Sequence, residues 1–295
     1  MHAYFFSNFQ ILLKEPSFTI ISVCMKKFIT LAFVALFCLA CDSETERTLS
    51  TDLQVEGTEV FNISLAFEES LYFGLLSLDD YRIAERDSIS LPGCPILSVD
   101  NDSSQVRLTF QANPACDSQK LERNGSILIN FSRNTSTESI RTLIYDDYSI
   151  KGIHLDGDRS FTVVRNGSPA SIQESFTNLR MTNPRGSTTR ISGNFSHQLQ
   201  LSNRQLIGFT STGQLSGINI AGREFTMQQT SPRQYLTTCL LQGNLLAQQG
   251  VERWSISRGQ NKNAVQHTLT FSLSSNCETN ANLSLSDGRS LSFKL

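Results

Sequence analysis

From residue 94 onward, apolar and polar residues alternate with a period of two. Val106, Leu108 and Phe110 are separated by Arg107 and Thr109, and Ile127, Ile129 and Phe131 repeat the pattern. That period places one side-chain set on each face of a strand. Further strand candidates are residues 143–150, 153–155 and 161–164 in the first half. The second half adds 190–201, 206–212, 217–220, 224–228, 235–241, 254–257, 268–273, 282–285 and 290–294. Asp156-Gly157 and Asn166-Gly167 have the composition of hairpin turns, and Gly193, Gly217 and Gly222 that of bulges or turns. Many short strands at this spacing predict a mainly β fold, either an antiparallel β-sandwich or two related β units.

One earlier segment follows a different period. Between residues 56 and 77, Val60, Phe61, Leu65, Leu71, Leu75 and Leu76 recur at three- and four-residue intervals. This predicts one N-terminal helix, within a helical segment at 55–90, packed on the sheet through an apolar stripe.

The β region contains an internal repeat. Leu108-Thr109-Phe110 stands six residues before Cys116-Asp117, and Leu269-Thr270-Phe271 six before Cys277-Glu278. Each cysteine precedes a strand candidate and has another cysteine upstream. The repeat divides the chain into β units at 91–180 and 181–295, each a hairpin pinned by a disulfide.

The most specific local pattern lies at residues 25–41. Lys26 and Lys27 precede an apolar run at 28–39, then Ala40 and Cys41. A basic start, a short apolar core and a small residue before the cut make an export signal. As a helix the core spans roughly 20 Å, short of the about 30 Å of a bilayer's hydrocarbon. Leu39-Ala40-Cys41 resembles the cleavage box of bacterial lipoproteins, which implies a signal peptide at 25–40 and lipidation of Cys41. Residues 1–24 are apolar, with Phe5, Phe6, Phe9 and Leu12 and no basic start. They read as an upstream extension, with translation starting at Met25. Residues 41–54 carry Asp42, Glu44, Glu46 and Asp52 and read as a polar tether.

Of seven cysteines, Cys24 and Cys38 leave with the pre-sequence and Cys41 is the lipidation candidate. Cys94, Cys116, Cys239 and Cys277 remain, and an even count in an exported chain implies disulfides. Three pairings are possible. Sequence locality favours Cys94–Cys116 and Cys239–Cys277. The absence of any C-x-x-C spacing among these four and the scarcity of histidine argue against zinc. The whole chain has 25 basic and 27 acidic residues. That balance gives no reason to expect nucleic acid as a partner.

Several stretches together resemble surface lipoproteins of Bacteroidota-type bacteria. They are Cys94-Pro95, Cys116-Asp117, Gly125-Ser126-Ile127, Tyr148-Ser149-Ile150-Lys151-Gly152, Cys239, Cys277-Glu278 and Asp287-Gly288-Arg289. The resemblance covers about residues 91–295. It implies a lipid anchor at the outer membrane or cell surface and carries no catalytic residues.

Candidate chemistry is sparse. His154, His197 and His267 lie beyond the signal, with His154 and His267 in alternating strands whose polar face meets water. No nucleophile elbow, zinc helix or phosphate loop is present. Asp146-Asp147 and Asp156-Gly157-Asp158 are the densest carboxylates, the second with a calcium-loop composition. Arg141, Arg159, Arg165 and Arg180 suit strand edges. Trp254 suits the core, although with Tyr145, Tyr148 and Tyr235 it could form a stacking platform for sugars. No cofactor or metal is implied. The favoured expectation is a lipid-anchored envelope protein with a non-catalytic binding or structural ectodomain, its partners the membrane and a glycan or an envelope or host protein. The alternative is a polysaccharide-acting enzyme, which needs a cleft flanked by two close carboxylates. A binding module is expected to show an exposed aromatic strip instead.

Overall fold

The computed structural model describes residues 42–111, 116, 121–133, 138–164, 171–203, 205–258 and 264–294. The signal, Cys41, Arg165 and Asn166-Gly167 therefore lie outside the described residues. The fold class is the expected one, mainly β and antiparallel with an N-terminal helix. The compact β-containing unit spans Gln54–Leu295.

Among the described residues there are four helices: α1 (Asp42–Glu68), α2 (Leu71–Leu75), α3 (Leu78–Arg86) and α4 (Thr237–Leu241). The first half of the sheet comprises β1 (Ile96–Asp100), β2 (Gln105–Phe110), β3 (Arg123–Arg133), β4 (Glu138–Ile150), β5 (Ile153–Asp156), β6 (Asp158–Val164) and β7 (Ser171–Thr182). The second half comprises β8 (Thr188–Ser202), β9 (Gln205–Ile218), β10 (Glu224–Leu236), β11 (Gln249–Ile256), β12 (Val265–Ser275), β13 (Glu278–Ser284) and β14 (Ser290–Phe293). All belong to one antiparallel sheet in chain order, with β6 paired to β4 and β7. The sheet runs on across residue 180, because β7 pairs along β8 from Ser171↔Gln198 to Thr182↔Thr188.

Several local expectations need correction. Asp156-Gly157 makes no hairpin. β5 and β6 both run antiparallel to β4 and β7, so residues 153–164 are one strand interrupted at Gly157. Gly157, at φ +128°, supplies a backbone conformation that other residues resist. The hairpin before it turns instead on Lys151-Gly152, both at positive φ. Residues 237–241, expected as strand, form α4. The stretch expected as a tether is helical from Asp42. The helix expected over 56–77 is interrupted after Glu68 and again before Ser77. There Ser77 and Asp80 cap α3 reciprocally, each side chain bonding the other's backbone N–H.

The largest difference concerns the burial of α1. From Val60 on it packs through its whole circumference rather than a stripe. From Val60 to Leu76 every residue except Asn62 is buried. Gly57 faces β13 and β14, where an added Cβ would lie 2.8 Å from Leu283. One turn on, Phe61 stacks on Phe293 of β14 at 4.0 Å. Glu59, about 200° around the helix from Gly57, accepts hydrogen bonds from Thr189 of β8 and the Ile220 N–H. One sheet therefore covers opposite sides of the same helix. A helix enclosed in this way loses its amphipathic signature.

Two disulfides, Cys94–Cys116 and Cys239–Cys277, have Cα separations of 5.9 and 5.2 Å. The first ties the loop before β1 to the loop after β2. The second ties α4 to the β12–β13 turn. At the edge of β1, Glu85 of α3 accepts the Val99 N–H, so a helix side chain occupies an otherwise open ladder position.

Candidate functional site

The enclosed helix carries Glu56, Glu59, Ser64 and Glu68, the turn after it adds Glu69 and Ser70, and the inner face of the sheet answers them with arginine and histidine. Around the C-terminal end of α1, Arg123 donates to Glu69 Oε2 at 3.0 Å and Arg233 pairs with Glu68 and Glu252. Arg159 donates to Glu174 at 2.6 Å, and His197 Nε2 lies 2.9 Å from the other oxygen of that carboxylate. These groups are all nearly inaccessible to solvent. Isolated charges would be costly here, and only mutual pairing makes their burial tolerable.

The arginines also complete the helices. The last carbonyls of a helix lack intrahelical donors. Arg159 Nη1 donates to the Phe67 carbonyl and Arg123 Nη2 to that of Glu69. Arg141 Nη1 serves the Gly74 and Leu75 carbonyls of α2. Positive charge at these ends also suits the helix dipole. Arg141 and Arg159, expected at strand edges, thus point inward because helix ends need donors there. Arg180 remains exposed and pairs with Asp156.

The Leu-Thr-Phe repeat acquires a role in the same network. Phe110 and Phe271 point inward, and each ring lies near a buried guanidinium, Arg123 at 5.4 Å and Arg233 at 5.0 Å. Those arginines take the consecutive glutamates Glu69 and Glu68. Each repeat thus supplies an aromatic surface beside one cation.

A second cluster surrounds the other part of the helix. Glu56 accepts from Arg223 at 3.0 Å and from Arg258 at 2.7 and 2.8 Å, with His267 Nε2 2.9 Å away. His267, expected on a wet face, is buried because its strand turns that position toward the helix. His197 and His267 both leave Nδ1 without a partner. Each ring therefore donates through Nε2 to a carboxylate. Burial opposes the charge of Glu56, but His267 and Arg258 hold its carboxyl below the usual range. Burial pushes Glu59 up, only partly offset by the Ile220 N–H and Thr189. At the far end, burial also raises Glu69 despite Arg123. Glu174 is lowered, because Arg159 and His197 outweigh its burial.

This arrangement suits a scaffold. The cavity beside Glu56, Glu59 and Trp254 holds about 10 Å³, at or below the room one water needs. Trp254 is fully buried and donates to Glu252 at 2.9 Å, while Tyr145, Tyr148 and Tyr235 are also interior. The stacking platform does not form. Asp146 pairs with Arg107 at the surface, and Asp147 is almost fully exposed with His154 3.9 Å away. None of Asp146, Asp147, Asp156 and Asp158 lines one of the larger hollows of the described residues. No group of three or more His, Cys, Asp and Glu among them is placed to hold a metal ion.

The larger hollows open elsewhere, on the outer face of β7–β11. Three adjoining ones of about 540, 540 and 420 Å³ are lined mainly by Ser, Thr, Asn and Gln. Sequence reading did not single out this face, since uncharged polar residues in strands carry no motif. The signal available was the run of amides and hydroxyls at alternate positions in residues 192–196 and 212–216. No protein-family model, curated protein or solved structure matches the chain.

Proposed function

We propose that the protein is a lipid-anchored component of a bacterial cell envelope, held at the outer membrane or cell surface through Cys41. Its β-rich ectodomain would act by binding or as structure rather than by catalysis. The observation that carries this reading is cysteine parity. From residue 41 onward there are five cysteines, and two disulfides use Cys94, Cys116, Cys239 and Cys277. Cys41 alone is left over, directly after the apolar run and Ala40. Disulfides also fit an oxidising compartment outside the cytoplasm.

The non-catalytic part rests on how the reactive side chains are used. Arg123, Arg159, Arg233, His197, His267 and Trp254 are each buried and engaged with the scaffold. Metabolic labelling with a clickable palmitate analogue tests the anchor. The full chain should label and partition into detergent, and Cys41→Ala should do neither. An unlabelled wild-type chain in a lipoprotein-processing host would refute the reading.

A further inference from the structure

The inner face of the sheet is crowded with paired charge, whereas the outer face of β7–β10 is almost free of it. Register places Ser175, Asn194, Gln214 and Gln228 opposite one another on four neighbouring strands. The next row is Ser192, Ser216 and Thr226. Both rows line the adjoining hollows. Register shifts between Phe176 and Leu179 in β7 and between Gln228 and Arg233 in β10 flank them. Bulges bend strands locally, which lets an outward face become hollow.

The side chains here are available for a ligand. Asn194, Gln214, Gln228 and Thr226 are exposed, and none hydrogen-bonds another described side chain. None of the side chains in the two rows is ionisable. Arg190 and Glu224, of opposite sign, line one end. A polyanion would find no cationic surface, and an apolar ligand would leave the amides unpaired. A neutral polyhydroxylated ligand meets both conditions. Strands lie about 4.8 Å apart, so the amide row repeats at an interval comparable to one hexose residue in an extended chain.

We infer that the outer face of β7–β10 binds a neutral polysaccharide through hydrogen bonds to the Asn194–Gln214–Gln228 row. The inference deepens the binding reading above and rests on it. The test is affinity electrophoresis of the full chain in detergent, through gels containing neutral glucan, mannan or galactan, or anionic polygalacturonate. At least one neutral polymer should retard the wild type. Asn194→Ala/Gln214→Ala should lose roughly tenfold or more in affinity, because each neutral hydrogen bond is worth about a fivefold factor. Asn282→Ala, exposed on β13, should bind like wild type. Melting temperatures of both variants within a few degrees of wild type would exclude misfolding. Retardation by polygalacturonate alone, by none of the neutral polymers, or equally for wild type and the double variant would overturn the inference. A wild-type dimer in light scattering that the double variant abolishes would assign the face to a second copy and overturn it too. Palmitate labelling at Cys41 reads out separately, so losing the ligand would leave the anchor standing.

Discussion

Arg159 holds Phe67 twice: its Nη1 donates to the Phe67 carbonyl at 2.9 Å, and its guanidinium lies 4.5 Å from the centre of the Phe67 ring. The same cation pairs with Glu174 and reaches Ser70. A strand residue thus ends the helix, stacks on it and neutralises a buried carboxylate. Arg159→Met should cost about 3–5 kcal/mol, the usual loss when one member of a buried ion pair is removed. Adding Glu174→Gln should recover part of that loss, since no unpaired carboxylate would remain. Urea denaturation measures both. A single-variant cost below about 1 kcal/mol would show that the pairing contributes little.

Glu56 and Glu59 lie one turn apart and should give opposite pH signatures. Burial works against ionised Glu56, but His267 and Arg258 lower its pKa from the ordinary 4.5. A lowered carboxylate supports the fold above its unfolded pKa and loses that contribution as pH falls through the folded value. Glu56→Gln should therefore destabilise at neutral pH and approach wild type in acid. Burial raises Glu59 instead. Its ionised form costs stability once pH passes the unfolded value, so Glu59→Gln should stabilise at neutral pH and converge with wild type in acid. Thermal melts between pH 3 and 8 would distinguish the two. Parallel curves for both variants would contradict the assignment.

The strands were legible where one face is apolar and the other polar, as in Val106–Phe110 and Ile127–Phe131. β7 was not. Its inward positions are Ile172, Glu174 and Phe176, then Leu179 and Met181, because the bulge around Asn178 shifts the alternation by one residue. An inward glutamate and a period slip together erase the pattern. The disulfide partners followed from locality, and the two loops are short enough for that rule to hold. The charge network was illegible for a different reason. A buried Arg159 and an exposed Arg180 look alike along the chain, and only the enclosed helix distinguishes them. The enclosure hid itself, since a helix buried all round presents no stripe.

The two disulfides should contribute similarly despite their different settings. They span sequence separations of 22 and 38 residues. Loop-closure entropy grows only with the logarithm of length, so each is worth about 3–4 kcal/mol and the two differ by about 0.5 kcal/mol. Cys94→Ser/Cys116→Ser and Cys239→Ser/Cys277→Ser should lower the denaturation midpoint to similar extents. If one pair costs less than half of the other, native-state effects outweigh loop entropy.

Two glycines separate space from backbone strain. Gly74 of α2 has an ordinary helical backbone, but an added Cβ would lie 2.3–2.8 Å from three atoms of the buried Phe161 ring. That ring also lies 5.4 Å from the Arg159 guanidinium, so it cannot retreat without disturbing the cation. Gly186, in the β7–β8 turn, has nothing within 4 Å of an added Cβ but sits at φ +80°. Gly74→Ala should therefore cost about 1–3 kcal/mol through overpacking. Gly186→Ala should cost about 1 kcal/mol, the penalty of a left-handed conformation for an L-residue. Asn is better tolerated in that conformation, so Gly186→Asn should regain much of the loss. Gly74→Ser should regain nothing, because its Cβ meets the same ring. Equilibrium unfolding of the four variants tests the distinction. Rescue of position 74 by Phe161→Leu, which takes away the opposing ring, would locate the cost in that contact.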